Sequence, residues 1–127
     1  MGPYNRLFLP ALGWFIFCTV LLTIPGDSLP GDHWINIPLF DKWVHIGLFS
    51  IMAALLCRWL LKKGIPRGKE IRYFILCGLI CLAYGIAMEF VQKYWVPLRS
   101  FDPGDIVADG VGSAIGVIYS AWKYIKK

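Results

Sequence analysis

Four apolar runs, each close to the length needed to cross a bilayer, dominate this sequence and restrict what it can fold into. They are Leu7–Ile24, Trp43–Leu61, Tyr73–Gln92 and Ile106–Ile125. A helix of about 20 apolar residues spans the hydrocarbon core of a membrane. The runs are too long for strands and lack strand-like alternation. They predict an all-α fold, a bundle of four transmembrane helices in a single domain covering residues 1–127.

The composition agrees with a lipid environment. Hydrophobic residues make up 57% of the 127 residues and charged residues 17%. A soluble domain of this size could not bury so much apolar side chain. The net charge of +5 could indicate a nucleic-acid partner, but the basic residues cluster between the apolar runs, and no nucleic-acid-binding motif is present. We therefore expect a membrane protein without a nucleic-acid partner.

Lysine and arginine lie mostly on one side of the predicted bundle. Ten belong to the two termini and to the middle connection with the adjoining end of the second run, whereas three lie on the other side. Because positive charge is retained in the cytoplasm, both termini are expected there. The sequence thus predicts a multi-pass protein of the bacterial inner membrane, with the first and third connections outside.

The first run could instead be a cleaved signal peptide. Its apolar core is longer than the usual ~7–15 residues, and no A-x-A cleavage site is present. We expect a retained helix with Pro10 in its first turn, where proline is tolerated. The four cysteines lie within apolar runs and form no CxxC pair, which favours buried apolar roles over zinc ligation or disulfides.

Acidic residues gather at one end of the predicted helices. Seven of the eight lie on the predicted outer side or at the outer end of a helix. Helical spacing places three polar pairs on one face each: Asp41 with His45, Glu89 with Gln92, and Asp105 with Asp109. Small residues share two of these faces and let helices approach closely in lipid: Gly78, Gly85, Gly112 and Gly116. Since a charge facing hydrocarbon costs about 3 kcal/mol or more, we expect the acids to face other helices.

Helix capping is a simpler explanation for some of these acids. The motif "DPGD" (residues 102–105) is typical of a helix start, so capping could explain Asp102 and, through the helix dipole, Asp105. Capping does not account for Asp109, a full turn deeper, or for Glu89 within an apolar run. The nearest plausible partner of Glu89 is Arg99, whose guanidinium can hold a carboxylate or a phosphate by two bonds.

Four motifs occur in order along the chain: "PGDSLP", "DKWVH", "EFVQ" and "RSFDPGDIVADGVG". With them the chain resembles the VanZ-like family of integral membrane proteins, whose outline is D-K-x-x-H, E-x-x-Q, then R and D-x-x-x-N-x-x-G. The matching residues are Asp41, Lys42, His45, Glu89, Gln92, Arg99, Asp105, Gly112 and Gly116. Asp109 stands where the family commonly has Asn. The resemblance implies a membrane fold and a link to resistance against the glycopeptide teicoplanin.

One hypothesis is an enzyme acting on an anionic lipid headgroup or a lipid-linked cell-envelope precursor. The predicted catalytic residues are His45, Glu89, Asp105 and Asp109, and the predicted substrate-binding residues are Asp41, Lys42, Gln92 and Arg99. His45 would be the general base or nucleophile, oriented by Glu89 or Asp105. Arg99 and Lys42 would hold the phosphate. A divalent cation bridging to phosphate is an open alternative; no other cofactor is expected.

Two further hypotheses stay open. The protein could be a non-catalytic membrane protein that binds a lipid, an antibiotic or an envelope partner, with the polar layer holding the helices in register. It could also be a transporter or flippase, although transport sites usually lie near the membrane midplane and these acids lie at one end.

Overall fold

The structure, a computed structural model, describes residues 3–23, 40–96 and 102–125, with the backbone alone for residues 3–5, 7, 40 and 41. Four α-helices make up nearly all of this part of the chain: α1 Pro3–Leu22, α2 Phe40–Lys63, α3 Glu70–Trp95 and α4 Pro103–Tyr124. No strand occurs within the described ranges. The predicted all-α class and the four helices are confirmed.

Each helix begins three or four residues before its apolar run. At α4, the Asp102 side chain accepts a hydrogen bond from the Gly104 backbone N–H at 2.9 Å, and Pro103 takes the first helical position. The capping prediction for Asp102 is therefore confirmed. The prediction for Pro10 is wrong: α1 begins at Pro3, so Pro10 lies inside the helix rather than in its first turn.

Two of the helices are long and apolar enough to cross a membrane. The spans are Lys42–Lys63 and Glu70–Trp95, whereas α1 contains a shorter apolar segment, Phe8–Leu22. Only 33% of each spanning window is buried inside the protein, so most of each span faces outward. The core helix of a soluble protein would be mostly buried. Large exposed apolar side chains such as Leu79 and Ile118 extend this outward surface.

Helices α2 and α4 run parallel and pack most extensively, with α3 against α4 and α1 against α2. Two glycines of α4 allow this approach. A Cβ added at Gly112 would lie 2.5 Å from the Ile46 carbonyl oxygen, and one at Gly116 would collide with the Ser50 carbonyl oxygen. The expected close contact through small residues is confirmed at these positions.

Two apolar clusters fill the space between the helices. The larger joins α1, α2 and α3 through buried residues that include Phe49, Met52 and Cys81. The smaller lies where α2 ends and α3 begins, and consists of Cys57, Phe74 and Cys77. All four cysteines are buried and unbridged, as the sequence predicts. The larger cluster lies beside the end of the bundle at which the acidic residues meet.

Candidate functional site

Six polar side chains meet where α2 and α4 begin and α3 approaches its end. This polar cluster consists of Lys42, His45, Glu89, Asp102, Asp105 and Asp109. Four of its members are buried, with relative exposures of 5% for His45, 1% for Glu89, 7% for Asp105 and 1% for Asp109. The sequence predicted that polar residues gather at one end of the helices, and the geometry brings these six together from α2, α3 and the start of α4.

His45 and Asp109 form the buried centre of the polar cluster. His45 Nδ1 lies 2.7 Å from Asp109 Oδ1, and His45 Nε2 lies 3.8 Å from Asp105 Oδ2. An ionised Asp109 can only accept, so a neutral imidazole paired with it carries its proton on Nδ1 and its lone pair on Nε2. Room for Asp109 comes from Gly85, where a Cβ would lie 2.5 Å from Asp109 Oδ2. The carboxylate that orients His45 is therefore Asp109, whereas the sequence suggested Glu89 or Asp105.

Lys42 joins the beginnings of α2 and α4. Its Nζ lies 2.6 Å from Asp102 Oδ2 and 2.7 Å from Asp105 Oδ1. The ammonium of Lys42, followed by the Gly104 backbone N–H, holds the pKa of the Asp102 carboxyl below its ordinary value. The Asp102 side chain is 44% exposed, so solvent weakens this interaction. A phosphate bound by Lys42 would therefore have to compete with these two carboxylates for its ammonium group.

Glu89 connects α3 to the start of α4. Its Oε2 accepts a hydrogen bond from the Asp102 backbone N–H at 3.0 Å. This bond supplies one partner for a carboxylate buried inside an apolar helix, which would otherwise be costly. The sequence named Arg99 as the partner of Glu89, but Arg99 lies outside the described residues.

Gln92 contacts a different part of the fold. Its Nε2 donates to the Leu22 carbonyl oxygen at 2.8 Å, so it satisfies a carbonyl in the last turn of α1. Gln92 thus links α1 to α3, and this hydrogen bond does not involve the polar cluster. Asp41 lies in the first turn of α2, but its side chain is outside the described part of the structure.

Asp102 is a member of the polar cluster that sequence reasoning did not assign to the site. The sequence gave it a capping role, which the Gly104 contact confirms. The same carboxyl group binds Lys42 through its other oxygen. The signal in the sequence was the "DPGD" motif, in which two acids three residues apart share a helix face.

Three members of the polar cluster have the side-chain types and spacing of metal ligands. His45, Glu89 and Asp105 each offer one ligand atom, and these atoms all lie within 4.8 Å of one another. They come from α2, α3 and α4 respectively. Imidazole and carboxylate groups are common ligands of divalent metal ions.

An apolar groove lies between α3 and α4. It has a volume of about 250 Å³, and its lining includes Leu79, Leu82, Gly110 and Val117. Gly110 directly follows Asp109, so the groove begins at the level of Asp109 along α4 and continues toward the C-terminal part of that helix.

The fold and the polar cluster together define a four-helix protein with a buried histidine–carboxylate site. Comparison of the chain with protein-family models, curated proteins and solved structures finds no match.

Proposed function

We propose that this chain is a small multi-pass protein of the bacterial cytoplasmic membrane, similar to the VanZ-like family. In this proposal all four helices cross the membrane, both termini are cytoplasmic, and the polar cluster faces outside. The two long apolar helices and the exposed apolar side chains support a membrane location. The distribution of lysine and arginine supports the orientation.

Labelling of one introduced cysteine tests the orientation. Arg67 lies in the short exposed connection between α2 and α3, and the four native cysteines are buried. Arg67→Cys should therefore react with a thiol reagent only after the reagent has entered the cell. Labelling of Arg67→Cys in intact cells by an impermeant reagent would reverse the proposed orientation.

The function that the polar cluster supports best is binding and hydrolysis of a phosphate-bearing lipid or lipid-linked cell-envelope precursor. The observation that carries this proposal is the buried His45–Asp109 pair, in which Nδ1 contacts Asp109 and Nε2 is directed toward Asp105. A histidine held in this way is suited to act as a general base. Nε2 would accept a proton from water as the water oxygen bonds to phosphorus. The phosphorus–oxygen bond to the lipid alcohol would break, and the imidazolium of His45 would return the proton to the leaving alcohol oxygen.

The charges of the site set a condition on this function. The polar cluster contains four carboxyl groups and one ammonium group among the described residues, so an anionic phosphate needs further positive charge nearby. Arg99 is a candidate source because it lies three residues before Asp102 in the sequence. The N-termini of α2 and α4 both lie at this end and favour negative charge. The adjacent apolar groove is suited to an acyl chain.

Lipid phosphate release tests the proposal. The full chain would be reconstituted in neutral-lipid nanodiscs with a labelled lipid phosphate, and release would be compared between wild type, His45→Gln and Cys77→Ala. Loss of a general base lowers such a rate by about 10²–10⁴-fold, so His45→Gln should lose release. Cys77→Ala, in the apolar cluster at the other end of α3, should retain it. Release by His45→Gln at the wild-type rate would reject the role of His45.

A structural role is the second candidate, because the members of the polar cluster bind one another. Lys42 contacts two carboxylates, His45 contacts Asp109, and Glu89 accepts the Asp102 N–H. A protein in which these bonds only hold α2, α3 and α4 together would bind no lipid phosphate at all. Folded wild-type protein that neither binds nor cleaves the labelled lipid would establish this second candidate. Growth of cells in the presence of teicoplanin provides a cellular readout of the proposed function, as the family resemblance suggests.

A further inference from the structure

The geometry points to a divalent transition-metal site formed by His45, Glu89 and Asp105. Each of these residues is buried, and each comes from a different helix. Their ligand atoms lie within 4.8 Å of one another, and His45 Nε2 is 3.8 Å from Asp105 Oδ2. The site therefore exists only when α2, α3 and α4 are assembled.

The separations suit a metal ion after a small adjustment. Metal–nitrogen and metal–oxygen bonds of about 2.0–2.2 Å place neighbouring ligand atoms about 3–4 Å apart. The 3.8 Å between His45 Nε2 and Asp105 Oδ2 is already in that range. The largest separation of 4.8 Å would close by rotation of side chains, without movement of the helices.

The surrounding contacts hold each ligand in the way that metal sites commonly do. His45 Nδ1 is bonded to Asp109, which directs Nε2 toward the shared centre. A metal-binding histidine almost always has its second ring nitrogen bonded to such a partner. Asp105 Oδ1 accepts from Lys42, and Glu89 Oε2 accepts from the Asp102 N–H. Each ligand is thus fixed by one atom and carries a second atom of the ligating type.

The balance of charge also favours a cation. Glu89, Asp105 and Asp109 are buried within a few ångströms of one imidazole. Buried carboxylates are stable when they are paired or bind a metal. Lys42 supplies one positive charge and divides it between Asp102 and Asp105. A divalent ion at the shared centre would compensate the remaining carboxylates directly.

The ligand types narrow the choice of metal. One imidazole nitrogen and two carboxylate oxygens suit Zn²⁺ or Mn²⁺ better than Mg²⁺ or Ca²⁺, which prefer oxygen ligands alone. Three protein ligands leave at least one coordination position open, as in catalytic rather than structural zinc sites. If the proposed lipid function holds, this open position would take a phosphate oxygen or the attacking water, and the ion would supply the positive charge that the function requires. Because a metal-bound Nε2 has no free lone pair, the ion would then activate the water in place of Nε2.

Metal binding by the full chain tests this inference without any lipid substrate. Protein purified in detergent and stripped with EDTA would be dialysed against Zn²⁺ or Mn²⁺, and bound metal would be measured by mass spectrometry. We expect one ion per chain and its loss in Glu89→Gln. Glu70→Gln is the matched control, because it makes the same change at the other end of α3. Failure of wild type to bind either ion, or equal binding by Glu89→Gln, would overturn the inference.

Two additional measurements keep the test decisive if Glu89→Gln does not fold. X-ray absorption of the wild-type Zn²⁺ complex should show nitrogen and oxygen ligands; sulfur ligands would overturn the site, since they would place the ion on cysteines. Asp109→Asn should weaken binding by about 10–100-fold, as expected for a residue that orients a ligand. Metal binding without lipid cleavage would support the metal site and reject the enzymatic function. Lipid cleavage without metal binding would support the enzymatic function and reject the metal site.

Discussion

Buried side chains pack at both ends of the α2–α3 pair, but their chemistry differs between the two ends. At one end His45 and Glu89 belong to the polar cluster. At the other, Cys57, Phe74 and Cys77 pack together as an apolar cluster. Apolar side chains are therefore sufficient to pack these helices. Buried ion pairs often add little stability compared with apolar groups of similar size. Helix packing alone therefore does not account for the charged groups at the polar end.

The largest expected effect comes from removing one partner of the His45–Asp109 pair. Asp109→Leu should lower the free energy of unfolding by about 3–5 kcal/mol, because it leaves His45 buried without its partner. The double variant His45→Leu/Asp109→Leu should be more stable than Asp109→Leu alone, since it makes the polar end resemble the apolar one. Unfolding titrations in mixed micelles measure both. A double variant less stable than the single one would show that the polar pair itself holds the fold.

The next largest effect concerns the close contact that fixes the distance between α2 and α4. Gly112→Ala places a Cβ 2.5 Å from the Ile46 carbonyl oxygen, and overpacking of this kind costs about 1–3 kcal/mol. Gly47→Ala is the control on α2, because nothing lies within 4 Å of its added Cβ. Helix propensity should make that variant more stable by up to about 1 kcal/mol. Equal stability of the two variants would contradict the α2–α4 packing.

A smaller effect should appear on acidification at the exposed rim of the polar cluster. The pKa of Asp102 is lowered in the folded protein by Lys42 and the Gly104 N–H. Its stabilising contribution is therefore present above the unfolded pKa of about 3.9 and is lost as the pH falls through the lower folded pKa. Subtracting the melting curve of Asp102→Asn from that of wild type should isolate a loss below about pH 4. A difference that persists unchanged at lower pH would contradict the Lys42 pairing.

The smallest effect is expected at Ser113, whose buried hydroxyl has no hydrogen-bond partner among the described residues. Removing an unsatisfied buried polar group is neutral or stabilising. Ser113→Ala should thus keep the stability of the wild type within about 0.5 kcal/mol. Ser113 also lines the α3–α4 groove. A large loss of stability would therefore show that its hydroxyl has a partner and that the groove is more polar than its apolar lining suggests.

The sequence predicts the helices and the faces of the polar residues better than their partners. Run length and the "DPGD" cap locate α4, and i,i+4 spacing places Asp105 and Asp109 on one face. Periodicity within one helix does not determine the axial alignment of two helices. Hence the sequence did not predict the bonds of Lys42 to Asp102 and Asp105, or of Gln92 to Leu22. The Lys42 bonds depend on the parallel register of α2 and α4 that Gly112 and Gly116 allow.

The central claim is that Asp109 of α4 fixes the protonation and orientation of His45 on α2. Nitrogen-15 NMR of the labelled full chain in micelles tests it most directly, with His45→Gln used to assign the signal. The account predicts a proton on Nδ1 that is protected from exchange with water, and loss of that protection in Asp109→Asn but not in Glu70→Gln. A rapidly exchanging His45 signal that is unchanged by Asp109→Asn would contradict the account.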